Sequence, residues 1–119
     1  MTDQYPITLA EFRAWLETKR PHEQVGYRRT TSDNPITRYL QARGDHATAG
    51  HAYVLADGRE LQTPKWARAF LIEVAYDRSS SLVQARTALR LLDRAAHASL
   101  PAEELDHEHL SLELEAVNE

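Results

Sequence analysis

The stretch His51-Ala-Tyr-Val-Leu-Ala-Asp-Gly-Arg-Glu-Leu-Gln62 predicts a β-hairpin. Asp57-Gly58 is a pair that tolerates two successive positive φ values, as a type I′ turn demands, and a short strand runs up to it and another away from it. A two-residue loop sets Ala56 opposite Arg59 and therefore Val54 opposite Leu61, so Val54 and Leu61 should point to the core. Two strands alone are marginal in water. A third strand, with Val25 to Arg28 as the candidate, or helices must cover that face.

The flanking sequence supplies helices. On the N-terminal side, Thr8-Leu-Ala-Glu11 has capping-box spacing and starts a helix of about Leu9 to Lys19, with Leu9, Phe12 and Leu16 on one face, Trp15 at its edge and Pro21 as the stop. Asn34-Pro35 reads as an N-cap followed by a proline at the first helical position, and Gly44 as a C-terminal stop, giving a second helix from about Pro35 to Arg43. On the C-terminal side, Thr63-Pro64 opens a third helix to Tyr76, with Ala67, Phe70, Leu71 and Val74 inward. Ser81-x-x-Gln84 has the spacing of a second capping box and predicts a fourth helix, about Leu82 to Ala98, with Leu82, Ala85, Leu89, Leu92 and Ala96 inward.

The expected fold is therefore α+β: a single small domain over residues 1–100, with about four helices and a short antiparallel hairpin from Ala52 to Leu61. An acidic C-terminal segment, 101–119, follows. Its Leu110, Leu112 and Leu114 alternate like a strand, while Leu110, Leu114 and Val117 fit a helix.

Composition bounds what such a domain does. The chain has 119 residues, enough to bury roughly two-thirds of its unfolded surface, and is 42% hydrophobic and 27% charged, ordinary globular values. It has no cysteine, which excludes a disulfide framework, a thiolate metal site and a cysteine nucleophile. The N-terminus lacks the pattern of a signal peptide and no stretch approaches the roughly 18 apolar residues of a membrane span, so a soluble, cytoplasmic protein is expected. The net charge of −4 is unevenly spread. All 14 basic residues lie at or before Arg94, whereas Glu103, Glu104, Asp106, Glu108, Glu113, Glu115 and Glu119 form a purely acidic end. The body suits an anionic partner and the end a cationic one.

Catalytic patterns are absent. Ser79-Ser80-Ser81 lacks a GxSxG elbow, and the glycines at 26, 44, 50 and 58 form neither GxGxxG nor a P-loop. No catalytic residue and no cofactor is expected. His107 and His109 are the weak candidates for a metal, along with the Asp45-His46 to His51 segment, but there is no HExxH and no third ligand to place.

Arg86, Arg90 and Arg94, spaced i, i+4 and i+8, stack three guanidinium groups along one side of the fourth helix. Like charges at that spacing repel, so they need counter-charges: from an anionic partner, from Asp93 and neighbouring carboxylates, or from the acidic end folding back. Trp66 and Tyr76 bear the aromatic chemistry of binding hot spots, with core packing as the ordinary alternative.

The segment Glu73 to Leu92 is similar in places to the helix-turn-helix of winged bacterial regulators, mainly at Ala75, Ser81, Arg86, Ala88, Leu89 and Leu92. It departs from that pattern at Ser79 and Ser80, where the turn glycine and an apolar turn residue belong. The resemblance implies a DNA-binding regulator. The leading expectation is instead a small non-enzymatic interaction or regulatory protein, with a protein as partner and nucleic acid as the alternative; a metal-dependent enzyme is the third reading. Compact chains with few motifs are common among accessory and inhibitor proteins of phages and other mobile elements.

Overall fold

The computed structural model describes residues 3–77 and 81–98. Along the chain run α1 (Leu9–Glu17), β1 (Gln24–Tyr27), α2 (Pro35–Ala42), β2 (Ala47–Ala49), β3 (Tyr53–Ala56), β4 (Arg59–Gln62), α3 (Lys65–Tyr76), β5 (Leu82–Gln84) and α4 (Ala85–Ala98). The fold is α+β and, among the described residues, has four helices, one three-stranded antiparallel sheet and one two-stranded ribbon.

The locally encoded elements form as their residues dictate. Thr8 accepts from the Glu11 amide while the Glu11 carboxylate accepts from the Thr8 amide, closing the capping box of α1. Asn34 caps α2 through the Thr37 amide at 2.8 Å, and Gly44 turns the chain away with φ +99°. Asp57 and Gly58 take φ +52° and +77°, and Val54 faces Leu61 across the hairpin. Val54 is fully buried and Leu61 packs partly buried against the core.

Two pairings differ from expectation. The third strand beside the hairpin is Ala47–Ala49, on the β3 edge, and Val25 belongs to the separate ribbon of β1 with β5. Residues Leu82–Gln84 are thus strand, and the fourth helix begins at Ala85. The amides at its start are satisfied from the segment just before β1: Ala85 N donates to Glu23 O at 2.9 Å and Arg86 N to Pro21 O at 3.0 Å. Tertiary acceptors do the work expected of Ser81 and Gln84. The inward face of α4 shifts with this. Ala85, Ala88, Leu91, Leu92 and Ala95 are buried, whereas Leu82 is exposed and Leu89 and Ala96 are half-buried, because α4 lies against both α3 and α1.

One core joins all layers. Phe12 sits at its centre, its ring packed on those of Trp15, Tyr39, Trp66 and Phe70 with centroids 5.1–6.1 Å apart. Leu16, Ile36, Leu40, Val54, Val74, Val83 and Leu92 complete it. Each such side chain contributes about 1.5–3 kcal/mol by leaving water. The buried polar residues Asn34 and Thr37 form a closed set: Asn34 Nδ2 donates to Thr30 O and Ala49 O, Thr37 Oγ1 donates to Thr31 O, and Ala49 N donates to Thr37 Oγ1. These bonds tie the start of α2 to β2 and to the loop after β1. Among the described residues no helix is long and apolar enough to cross a membrane.

Candidate functional site

Arg86, Arg90 and Arg94 lie exposed on one side of α4, as their spacing requires. Their neighbours come from α3 more than from α4 itself. Arg94 Nη1 donates to Glu73 Oε1 at 3.3 Å, Arg90 Nη2 stands 3.9 Å from Asp77 Oδ1, and Arg86 Nε donates to the Gln84 side-chain oxygen at 3.3 Å. Asp93, expected as a counter-charge for the stripe, instead pairs with Arg13 of α1. In both pairs the arginine is exposed, at 59% and 61%, while its partner is mostly covered, Asp77 at 13% and Glu73 at 28%, so the guanidinium groups remain open to water.

Tyr76 adjoins this stripe. It is 73% exposed, the most exposed of the large hydrophobic residues described, and stands one turn along α3 from Glu73. Trp66 is not brought to it. Its ring lies 5.7 Å from that of Phe12, half-buried against the core, ten residues or about 15 Å along α3 from Tyr76. The structure therefore unites Arg86, Arg90, Arg94 and Tyr76 on one surface, with Glu73 and Asp77 interleaved, and assigns Trp66 to packing.

Elsewhere, Arg38 and Arg43 are engaged in the fold. Arg38 forks onto Asp33 with bonds of 2.6 and 3.0 Å, and the guanidinium holds the Asp33 carboxyl below its ordinary pKa. Arg43 donates to Asp45 at 2.6 Å, and Asp45 also accepts from the Tyr5 hydroxyl. The Arg43 bond, helped by that from Tyr5, holds the Asp45 carboxyl low against the opposing effect of burial. Tyr5 is pushed up by burial first and by Asp45 second.

The helix-turn-helix resemblance does not carry over as geometry. Helices of that motif are joined by three or four residues, whereas residues 77–84 separate α3 from α4 and include β5. The three-stranded sheet also precedes α3 instead of following α4 as a wing.

Among the described residues no three His, Asp or Glu side chains gather as metal ligands. Asp45, next to His46, is occupied by Arg43 and Tyr5. His107, His109, Ser79, Ser80 and the acidic end lie outside the described residues.

Sequence reasoning did not find a cavity of about 410 Å³ between the loop after β1, the end of β2 and α3. Arg29 lies at its edge with φ +58° and donates from Nε to Ala75 O at 3.2 Å. Its lining comes from three separate segments, so no local spacing signals it.

Fold and surface together define a small α+β domain that presents arginine and tyrosine on two adjoining helices. No protein-family model, curated protein or solved structure matches the chain.

Proposed function

We propose that this is a small non-enzymatic interaction or regulatory protein that binds a larger protein partner through the α3–α4 surface. The observation that carries the reading is Tyr76, left in water beside the Arg86, Arg90 and Arg94 stripe while the other ring on α3 that borders the core, Trp66, is packed. Tyrosine and arginine dominate binding hot spots because each buries a large planar surface and still offers donors. Glu73 and Asp77 favour a protein over DNA. They would stand against phosphates, whereas a protein partner can supply both signs of charge.

A photo-crosslinking residue at position 76, introduced in the cells that encode the chain, is expected to give a discrete protein adduct that disappears in the Arg86, Arg90, Arg94→Ala triple variant. Adducts to DNA, with duplex affinity falling steeply with salt, would replace this reading with the DNA-binding one. No discrete adduct at all would sink both.

A further inference from the structure

Donors and acceptors around the cavity beside Arg29 do not balance. At about 410 Å³ it falls in the range of small-molecule sites. Its floor is apolar: half-buried Ala75 of α3 faces it, over the buried Ala49 of β2 and Leu71 and Val74 of α3. Its rim holds Arg29, Thr30, Thr31 and His51, and among the described residues no carboxylate lines it.

Five backbone oxygens around the cavity already accept hydrogen bonds. Thr30 O and Ala49 O accept from Asn34, Thr31 O from Thr37, Gly50 O from the Thr63 hydroxyl at 2.8 Å, and Ala75 O from Arg29 Nε. Asn34 spends both amide hydrogens and its oxygen in the same network, so it offers the cavity nothing. Among the described residues, no acceptor takes the two Nη groups of Arg29, and His51 is exposed. Among the described residues of its lining, Arg29 carries the one full positive charge, and most of the nearby carbonyls are engaged.

It is also pre-formed. Arg29 holds a left-handed backbone that non-glycine residues rarely adopt, its Nε is anchored on the end of α3, and the Asn34–Thr37 bonds fix the loop on either side. With Nε engaged, the Nη edge of the guanidinium remains, and two parallel N–H groups match one carboxylate.

We infer that this cavity binds a small amphiphilic carboxylate, its apolar body against Ala75 of α3, above the buried Leu71 and Val74, and its carboxylate on the Nη groups of Arg29, with His51 beside it. The site is separate from the proposed partner surface. At 3.6 residues per turn, Leu71 and Ala75 lie largely opposite Glu73 and Tyr76 on α3.

The test is a ¹H–¹⁵N correlation titration with 4-methylpentanoate and phenylacetate, using their primary amides as uncharged controls. Saturable shifts are expected at Thr30, Thr31, Gly50, His51 and 71–75, with the amides of Arg86 to Arg94 unmoved. The amide controls should bind about tenfold more weakly, the discrimination of a charge-assisted contact over a neutral one. Arg29→Gln should erase that preference, and Ala75→Phe should exclude acid and amide alike by filling the cavity. Absence of saturable shifts, equal affinity for acid and amide, or shifts gathered on α4 would each overturn the assignment. Should Arg29→Gln fail to fold, the acid-to-amide ratio of the unaltered chain decides by itself.

Discussion

At Gly26 there is no room for a methyl group. A Cβ there would stand 2.7 Å from Pro35 N, 2.8 Å from Pro35 Cδ and 2.9 Å from the Asn34 carbonyl carbon, all of them backbone or ring atoms at the rigid start of α2. Gly26→Ala must therefore push β1 away from the Asn34 cap, and a loss of about 1–3 kcal/mol is expected in urea unfolding. Unchanged stability would mean that the ribbon shifts freely against α2. Asp45 offers a different residue-scale test. Its folded pKa is lowered, chiefly by Arg43, so its contribution is present above the unfolded value of about 3.9 and is lost as pH falls through the folded one. Asp45→Asn should cost about 1 kcal/mol at neutral pH, and the gap to the unaltered protein should close as the pH drops below about 4. A gap that stays constant across that range would show that the charge on Asp45 does not matter.

Among the elements, the hairpin is the sharpest case, because its register decides which side chains see water. Val54 is fully buried while its neighbour Leu55 is 49% exposed. Val54→Asp should cost several kcal/mol by burying an unpaired charge, and Leu55→Asp well under half as much. Equal losses in urea titrations would mean that both faces of the sheet are covered. This hairpin, the Thr8 box and the Asn34-Pro35 start were legible in the sequence because their decisive bonds close within four residues. The ribbon of β1 and β5 was not. Ser81-x-x-Gln84 imitates a capping box, but the acceptors that start α4 come from Pro21 and Glu23, and no local pattern announces them. The same contrast divides the candidate sites. The α4 arginines follow from i, i+4 spacing alone, whereas their pairing with Glu73 and Asp77, and the cavity at Arg29, depend on segments distant in the chain meeting in the fold.

For the whole molecule the governing quantity is the division of charge. Removing the seven carboxylates of residues 103–119 takes the net charge from −4 to +3, with every basic residue retained. These acids follow α4 in the sequence, and whether they compete with an external anion for the Arg86, Arg90 and Arg94 side chains is decided by removing their charge. Glu73 and Asp77, themselves mostly covered, stand at fixed positions 3.3 Å from Arg94 and 3.9 Å from Arg90. A full-length variant with all seven acids changed to their amides should therefore bind heparin or duplex DNA more tightly and with a steeper dependence on salt. The same variant carrying Arg86, Arg90, Arg94→Ala should lose the gain, its slope of log affinity against log salt falling by up to about three for duplex DNA. Keeping the chain at full length separates the loss of charge from any loss of packing by residues 101–119. If the amidated form binds polyanions no better than the unaltered protein, the acidic end does not screen the stripe. If it binds better but keeps its salt slope after the three alanine substitutions, the anions are held elsewhere on the basic body, and α4 is not the surface that the acidic end protects.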